Sequence, residues 1–324
     1  MSLGPTWVVI LAWNEYRFTR ECLTSVLALD PGPDRVLLVD NGSTDRTAEK
    51  VQAEFPEVEV LRLDRNRYFA GGVNEGFRRA MDQGARSILL LNNDVVLERS
   101  ALETMSEALR ADPNRAAVSP RIYYYDRPDV IWFAGGIVGG GFGLIRHRGV
   151  NRKEEKLRDS PREVGYVSGA AALFSREGLE SVGLLDPSYV IYVEDVDWSA
   201  RAREKGFKLW YTPEAKVWHH VSATTGGGLT PLKAYFRLRS GALYLARHAR
   251  AGERALAFGA YFCWTAWLLA RAVANGEIRS AAALIAGFAD FTRILLGGTP
   301  PYRAPESFGK VAWPKRGGPP HLTP

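Results

Sequence analysis

The sequence contains little cysteine. Only Cys22 and Cys263 occur among 324 residues, and they lie far apart in segments of different character. Disulfide frameworks and thiolate zinc sites need several cysteines at short spacings. The cysteine content therefore argues against both, and it favours a protein of a reducing compartment such as the cytoplasm.

The sequence also lacks a continuous apolar segment of the about 20 residues that a membrane-spanning helix needs. No basic stretch followed by an apolar core occurs near the N-terminus, so we expect no secretory signal. An apolar and aromatic run of 16 residues covers 255–270, between Arg254 and Arg271. Two interpretations have equal weight. One is peripheral contact of 253–296 with acidic lipid at the inner face of the plasma membrane. The other is a buried helix in a C-terminal subdomain or in a homodimer contact.

Basic residues outnumber acidic residues by a small margin. The 42 Lys and Arg against 36 Asp and Glu give a formal net charge of +6. An anionic partner is therefore expected, either the phosphates of a nucleotide or acidic lipid headgroups. The basic residues of the first two thirds are not clustered, so a nucleic-acid partner is not expected.

Short apolar runs rich in β-branched residues alternate with helical patterns in the first third of the chain. Four such runs predict strands, at Trp7–Ala12, Arg35–Val39, Val58–Leu63 and Ser87–Leu91. Unbroken apolar strands that alternate with helices are typical of a parallel sheet covered on both faces. The pattern predicts an α/β fold with a Rossmann-like, mostly parallel sheet.

Polar residues follow each of these strands. Ligands of open α/β sheets bind beyond the carboxyl ends of the strands, and that is where these residues fall. We expect them to converge on one site: Asn14-Glu15, Asp40-Asn41, Arg67 and Asn92-Asn93-Asp94.

The remaining chain divides into segments of different character. Residues 121–167 are rich in Tyr, Trp, Gly and Arg, and the charged patch Arg146–Arg162 predicts an exposed loop. A further strand is predicted at Lys208–Tyr211. Helices are predicted at 44–54, with Ser43 or Thr44 as its cap, and at 231–250, 253–274 and 279–296. We expect three parts: an α/β domain at 1–228, a helical region at 229–300 and a flexible tail at 301–324.

Each candidate residue also has a structural interpretation. Asp40 could bind a base or ribose, or it could order the Asn41-Gly42 turn. Gly71-Gly72, expected in a turn before the next helix, could let backbone amides approach a phosphate, although the G-x-G-x-x-G and P-loop patterns are both absent. Asp94 could bind Mg²⁺ or Mn²⁺ together with substrate phosphates. Asn92 and Asn93 could bind sugar hydroxyls or make an Asx turn.

The stretch "YVEDVDW" places Glu194 and Asp195 at the start of a predicted helix. Mutual repulsion and burial can raise a carboxyl pKa toward the range of a general base. Arg201 lies four residues after Asp197 and can neutralise it, so Asp197 is the structural member. His219 and His220 follow the next strand. At most one of them can face a metal held by Asp94, and we favour His219.

In this order and spacing, the motifs "VVILAWNE", "VLLVDNGSTDRT", "NRYFAGGVNEGF", "ILLLNNDVVL", "YVEDVDWSAR" and "VWHHVSATTGG" resemble the inverting glycosyltransferases of family 2, of GT-A fold. They are most similar to the rhamnosyltransferase-like bacterial branch. The family's D-x-D signature appears here as Asn92-Asn93-Asp94, which leaves the metal dependence less secure.

The resemblance implies a role for each candidate. Asp40 would contact the nucleobase, and Asn14 and Glu15 would line the nucleotide pocket. Asp195 would be the general base, with Glu194 beside it. Gly71, Gly72 and Asn74 would lie near the donor, and Asn92 would lie near ribose or sugar, with Asn93 beside it among the donor-binding residues. Asp94 would bind a Mg²⁺ or Mn²⁺ cofactor on the diphosphate, and His219 would lie at the metal or the diphosphate. The donor would be dTDP-rhamnose or a UDP-hexose. The acceptor would be a cell-surface polysaccharide or a lipid-linked glycan.

Two other functions compete with sugar transfer. A nucleotidyltransferase would need a glycine-rich, basic loop near the N-terminus, but "AWNEYRFTR" contains no glycine. An inactive, membrane-associated binding protein would not need the carboxylates Asp40, Asp94 and Asp195.

Overall fold

A computed structural model describes residues 4–139, 144–157, 159–221 and 229–299. These residues form two compact units. The first falls within Met1–Ile137, Arg146–Asp186 and Asp195–Val221. The second falls within Val138–Ile145, Pro187–Glu194 and Ser222–Pro324. The predicted tail, 301–324, lies outside the described residues.

The first unit is built on a sheet whose first four strands are parallel. They are β1 (Thr6–Ala12), β2 (Arg35–Asp40), β3 (Glu59–Arg62) and β4 (Ser87–Asn92), adjacent in the order β4-β1-β2-β3. The helices between them are α1 (Tyr16–Leu27), α2 (Thr47–Glu54) and α3 (Tyr68–Asp82). The four strand predictions are confirmed within one residue at each end.

The sheet continues beyond β4 with strands that the sequence showed less clearly. The elements that follow in the chain are β5 (Val95–Leu97), α4 (Ala101–Arg110), β6 (Arg115–Tyr124), β7 (Arg127–Phe133), β8 (Gly136–Gly139), β9 (Leu144–His147), β10 (Arg162–Glu163), β11 (Ala171–Ser175), α5 (Arg176–Val182), α6 (Glu194–Glu204) and β12 (Lys208–His219). The full order is β10-β12-β6-β11-β4-β1-β2-β3, with β5 on β12 and β7 on β6. Along that order β11 is antiparallel to both neighbours, β6 and β4. The predicted α/β class with a mostly parallel central sheet is confirmed.

Helix α3 approaches the sheet through two glycines. A Cβ at Gly72 would lie 2.6 Å from Leu11 Cδ1, and a Cβ at Gly76 would lie 2.5 Å from Val9 Cγ1. Neither position has room for a side chain. The pair Gly71-Gly72 lies inside α3, which begins at Tyr68, whereas the sequence placed it in a turn before the helix. The sequence therefore set the start of α3 too late.

Two other boundaries differ from the predictions. Helix α2 begins at Thr47, after Arg46 at φ 64°, and not at 44. The Asp45 carboxylate accepts the Thr47 N–H at 3.1 Å and takes the place of the predicted Ser43 or Thr44 cap. Strand β12 runs past the predicted end at Tyr211 to His219, because a register shift between Thr212 and Lys216 accommodates Pro213 without ending the strand.

The charged patch Arg146–Arg162 is exposed or half-exposed at each of its described residues, as the sequence predicted, but one of its carboxylates is buried. Its Asp159 has a side chain that is 1% exposed. That carboxylate accepts hydrogen bonds from Arg148 at 2.6 Å, Arg162 at 2.9 Å and Tyr211 at 2.6 Å, and Arg121 lies 3.3 Å away. The sequence analysis did not find this buried carboxylate, because a count of charges cannot show that several of them share one partner.

The second unit contains three long helices, α7 (Pro231–His248), α8 (Ala251–Ala274) and α9 (Ile278–Leu295). They confirm the three helices predicted for this region. Thr230 caps α7 by accepting the Lys233 N–H at 3.3 Å. Tyr235 donates to Asp290 at 2.6 Å between α7 and α9. Among the described residues, α8 is the one helix whose length and composition would allow it to cross a membrane.

The segment Pro187–Glu194 also belongs to this unit and is held by α7. The Ser240 hydroxyl donates to the Ile191 carbonyl at 2.9 Å, and Arg239 donates to the Ser188 carbonyl at 2.9 Å. Val190 and Val193 have φ of 66° and 75°. Such conformations are strained for β-branched residues and persist only where the surroundings impose them.

We expect Asp159→Ala to lower the free energy of unfolding by about 3–5 kcal/mol, because it leaves buried cationic groups without a counter-charge. Chemical denaturation of wild type and variant measures the difference. Asp129→Ala is the matched control. Its carboxylate pairs with Lys153 at 3.1 Å with both side chains more than half exposed, so its removal should change stability little. Equal losses in the two variants would contradict the structural role of Asp159.

Candidate active site

Asparagine side chains join the three loops that follow β1, β2 and β3. Asn14 accepts the Thr44 N–H at 2.8 Å, and its own N–H donates to the Ser43 hydroxyl at 2.8 Å. Asn41 donates to Asn66 Oδ1 and to the Tyr68 carbonyl, each at 3.0 Å. These bonds bring the carboxyl ends of the parallel strands together, as the sequence predicted. The side-chain oxygen and the backbone N–H of Asn14 are therefore engaged in holding the loops together.

Asp40 combines the two interpretations that the sequence left open. It is 1% exposed, and its Oδ1 accepts the Ser43 N–H at 3.0 Å, which orders the turn after β2. Its Oδ2 is buried without a hydrogen-bond partner and lies 3.8 Å from Arg62 Nε. Burial raises the pKa of the Asp40 carboxyl, although Ser43 and Arg62 oppose the shift. One oxygen is therefore structural and the other can accept a hydrogen bond from a ligand.

Four other residues that the sequence proposed for donor binding have structural neighbours. Glu15 has φ 59° and a carboxylate 3.8 Å from Arg17 Nε, about half exposed. The Asn74 amide is buried, and it both donates to and accepts from the backbone of Leu185, at 2.8 and 3.0 Å. Gly72 is required by packing, as described above. Gly71 lies in the first turns of α3, where a Cβ would meet Arg67 Cβ at 3.0 Å.

The two asparagines after β4 differ in their surroundings. The Asn93 amide is buried and donates to the Thr19 hydroxyl at 2.9 Å and to the Asn14 carbonyl at 3.4 Å. It fixes the β4–β5 turn against α1. The Asn92 side chain is partly exposed at the end of β4, and its backbone N–H donates to the Ala170 carbonyl at 3.0 Å. Asn92 is the better placed of the two for a ligand.

Asp94 and His219 are brought together by strand pairing. Strand β12 runs antiparallel to β5 with His219 opposite Val95, and the His220 N–H donates to the Asp94 carbonyl at 2.9 Å. His219 Nε2 lies 3.1 Å from Asp94 Oδ1, and both side chains are less than 10% exposed. The distance is that of a hydrogen bond, but the angles are not, and Oδ1 has no hydrogen-bond partner in the described part of the chain.

His220 has different neighbours. Its Nε2 lies 3.0 Å from Glu21 Oε2, and its ring stacks on Tyr125 at 3.6 Å. Of the two adjacent histidines, His219 is the one beside Asp94.

The pair Asp94 and His219 fits a divalent cation that also binds substrate. Mg²⁺ takes ligands at 2.0–2.1 Å in octahedral geometry, so adjacent ligand atoms lie about 3 Å apart. The 3.1 Å between Oδ1 and Nε2 matches that spacing. No group of three or more His, Cys, Asp or Glu side chains suited to a metal occurs among the described residues. An ion there would complete its coordination with phosphate and water.

Asp195 is held beside the end of β4. Its Oδ2 accepts the Gly169 N–H at 2.9 Å, and the next residue, Ala170, accepts the Asn92 N–H at 3.0 Å. Its Oδ1 accepts the Val196 N–H at 2.8 Å. A Cβ at Gly169 would lie 3.0 Å from the Phe69 ring, so a side chain there would require that ring to shift by a few tenths of an ångström. The base candidate is thus fixed relative to β4 by two successive backbone contacts.

Burial raises the pKa of the Asp195 carboxyl, and the backbone N–H groups of Gly169 and Val196 only partly oppose this effect. The side chain nevertheless retains a partly exposed surface. A carboxylate that is surrounded by protein but still reachable suits a general base. Glu194, the first residue of α6, is buried and falls in the second unit. Asp197 pairs with Arg201 at 2.9 Å, as predicted for a structural residue.

A row of aromatic rings near this site was missed by the sequence analysis. Trp132 lies edge-on to His219 at 4.7 Å and to His147 at 4.5 Å between ring centroids. His147 in turn lies 6.1 Å from Tyr166. The Tyr166 hydroxyl is buried without a hydrogen-bond partner, and burial and the charge of Asp195 raise its pKa. These side chains come from three separate segments, so the sequence carried no local signal for the row.

The chain is similar to curated bacterial enzymes. It is 27% identical over 236 residues to N-acetylglucosaminyl-diphospho-decaprenol L-rhamnosyltransferase of Mycobacterium tuberculosis (strain CDC 1551 / Oshkosh), which covers 68% of this chain and 77% of that protein. It is 24% identical over 222 residues to poly-beta-1,6-N-acetyl-D-glucosamine synthase of Staphylococcus epidermidis. That match covers 68% of this chain and only 50% of the synthase.

The fold is similar to solved glycosyltransferase structures. The mannosyltransferase PcManGT of Pyrobaculum calidifontis, in complex with GDP-Man and Mn²⁺, superposes with a TM-score of 0.54 at 17% identity over 91% of this chain and 85% of that one. GalNAc-T7, with UDP, GalNAc and Mn²⁺, superposes with a TM-score of 0.57 at 17% identity. The second match covers 74% of this chain and 47%, about half, of GalNAc-T7. At these identities the likeness shows the GT-A fold alone.

The family assignment follows from the sequence match over the first unit. The model of "Glycosyl transferase family 2" matches residues 7–183, which is more than half of the chain. The match covers the loops after β1 to β4 that carry Asp40 and Asp94. The chain therefore belongs to glycosyl transferase family 2.

Proposed function

We propose that the protein is an inverting glycosyltransferase that moves a sugar from a nucleoside diphosphate donor to an acceptor hydroxyl, with Asp195 as general base. The observation that carries the proposal is the position of Asp195. It is tied through Gly169 and Ala170 to the end of β4, and the β4–β5 turn that follows holds Asp94 beside His219. A base and a diphosphate site at one strand end are what a single displacement requires.

The donor nucleotide would lie along the carboxyl ends of β1 and β2. The free Oδ2 of Asp40 would accept an N–H of the base, while the loops carrying Asn14, Glu15 and Gly71 would surround the nucleotide. Asn92, at the end of β4, would contact ribose or sugar. We retain Asn74, Gly72 and Asn93 as supports of these loops, since their contacts described above are internal.

Asp94 and His219 would hold Mg²⁺ or Mn²⁺ against the diphosphate. The ion would supply positive charge to the leaving group as the glycosidic bond to phosphate breaks. The chain contributes two buried side chains whose facing atoms are 3.1 Å apart. A site with two protein ligands is suited to an ion that is shared with substrate phosphates.

Asp195 would take the proton of the acceptor hydroxyl as that oxygen attacks the anomeric carbon. Inversion follows from a single attack with no covalent sugar–enzyme intermediate. The hydrogen bonds from Gly169 and Val196 orient the carboxylate, while burial keeps its pKa above that of an exposed aspartate. We retain Glu194, its neighbour in the chain, as a second carboxylate of the catalytic segment.

The proposed donor is dTDP-rhamnose or a UDP-hexose, and the proposed acceptor is a lipid-linked or cell-surface glycan. The similarity to a rhamnosyltransferase named for a diphospho-decaprenol acceptor supports this choice. Calorimetry against a panel of nucleoside diphosphates, with and without Mn²⁺, would identify the base.

We expect Asp195→Asn to reduce sugar transfer by about 10²–10⁴-fold, the usual contribution of a general base, with donor affinity close to that of wild type. Product analysis and calorimetry measure the two quantities. Glu204→Gln, at the far end of α6, is the matched control and should retain activity. Transfer at the wild-type rate by Asp195→Asn would refute the assignment.

The same substitution should change how stability depends on pH. Because the folded protein raises the pKa of Asp195, ionisation of this carboxyl costs stability as pH rises through that pKa. Asparagine cannot ionise. The melting temperature of Asp195→Asn relative to wild type should therefore increase from acid to neutral pH. Thermal unfolding across this range tests the sign, and a difference independent of pH would argue against a raised pKa.

We expect Asp94→Asn and His219→Gln to weaken the dependence of donor binding on Mn²⁺. His220→Gln should retain it, because His220 faces Glu21 and not Asp94. Calorimetric titration of each variant with UDP or dTDP, in the presence and absence of Mn²⁺, measures the effect. If all three histidine and aspartate variants responded to Mn²⁺ like wild type, the proposed metal site would be wrong.

A further inference from the structure

Helix α8 exposes a continuous apolar face. Among its residues from 255 to 270, no exposed position carries a charged side chain. Leu256, Phe262 and Trp267 are 55%, 53% and 59% exposed. This stretch is about 24 Å long at the rise of an α-helix. Soluble monomers seldom expose apolar patches of this kind without a partner.

The opposite face of α8 is already packed within its own unit. Ala257, Thr265, Leu268 and Ala272 are buried, at spacings of one helix face. Tyr261 stacks on Phe291 of α9 with ring centroids 4.8 Å apart. The exposed face is therefore the outer surface of a docked helix. Its neighbour α9 adds Ile278 and Ile285, which are 66% and 60% exposed.

The ends of this face are basic. Arg271 is exposed, and its guanidinium lies 5.8 Å from the Trp267 ring centroid. Arg250 lies at the start of α8, and Arg279 is exposed near the start of α9. The acidic side chains at the two ends, Glu253 and Glu277, are only partly exposed. Tryptophan and arginine beside an apolar helix face are the pattern of segments that bind the interface of anionic bilayers.

We propose that the exposed face of α8 docks on the surface of an anionic membrane, with the helix lying in the plane of the interface. A spanning helix does not fit, because one face of α8 is packed on α9 and the uncharged stretch of 16 residues is shorter than a bilayer core requires. The inference rests on the proposed function in one respect: it would place the transferase where a lipid-linked acceptor is found.

Cosedimentation of the full chain with vesicles tests the proposal. We expect binding to phosphatidylcholine vesicles that contain phosphatidylglycerol, weaker binding to phosphatidylcholine alone, and a decrease as salt is raised. Trp267→Asp should reduce the partition coefficient by about tenfold or more, since it introduces a charge on the exposed face that would enter the bilayer interface. Val150→Asp is the matched control. Val150 is 41% exposed in the first unit, and its substitution should leave vesicle binding unchanged.

The chain offers its own probe for this face. Cys263 is exposed on α8, whereas the other cysteine, Cys22, is buried. An environment-sensitive fluorophore attached to Cys263 should shift to shorter emission wavelength when anionic vesicles are added. Quenching by lipids brominated near the headgroup should exceed quenching by lipids brominated near the chain ends, because the helix is expected to lie in the interface.

Three results would overturn the proposal. Absence of vesicle binding, together with a dimer in analytical ultracentrifugation that Trp267→Asp dissociates, would assign the face to a second copy of the chain. Retention on vesicles at high salt, together with stronger quenching by lipids brominated near the chain ends, would indicate a spanning helix. Equal vesicle binding by Trp267→Asp and wild type would exclude the exposed face of α8 as the membrane-binding surface.

Transfer to a soluble acceptor separates this inference from the proposed function. Trp267→Asp should retain that activity while losing vesicle binding. If neither protein transferred sugar but wild type still bound anionic vesicles, the catalytic proposal would fail and the membrane proposal would stand.

Discussion

The pairing of β4 between a parallel and an antiparallel strand is the constraint on which the site depends. Parallel β1 places the nucleotide-side loops at the carboxyl end of β4. Antiparallel β11 begins at that same end, so the residues just before it, Gly169 and Ala170, reach Asp195 and Asn92. A strand of opposite direction is what lets a residue from far downstream lie beside the donor loops.

The site holds more acceptor capacity than the protein itself uses. Asp40 Oδ2 and Asp94 Oδ1 are both buried, and neither has a hydrogen-bond partner among the residues that the structure describes. Buried acceptors of this kind cost free energy unless a ligand satisfies them. An N–H group of a nucleobase at Asp40 Oδ2 and a cation at Asp94 Oδ1 would remove these costs together. The protein would then gain stability from the complete donor, in proportion to its binding.

The parts of the fold that depend on local sequence patterns could be predicted from the sequence. Strands β1 to β4 are unbroken apolar runs, and the polar residues after them converge because parallel strands end at one edge. The strand at Arg127–Phe133 and the buried Asp159 could not be predicted in this way. Both depend on contacts between distant segments, such as Asp159 with Tyr211. The sequence proposed that His219 faces a metal held by Asp94, and the register of β12 against β5 is what brings the two side chains together. Trp132, His147 and Tyr166 come from three segments and carry no local motif.

The glycines of α3 have a consequence for attempts to alter the choice of donor. Gly72 and Gly76 face Leu11 and Val9 with no space for a methyl group, so their identity is imposed by helix–sheet contact whatever sugar is bound. A library that randomises the whole stretch after β3 would consist largely of misfolded members. Diversity is better placed at Asn92 and at the partly exposed ring of Trp132. Under the proposed function those side chains would lie beside the transferred sugar, and the packing of α3 does not depend on them.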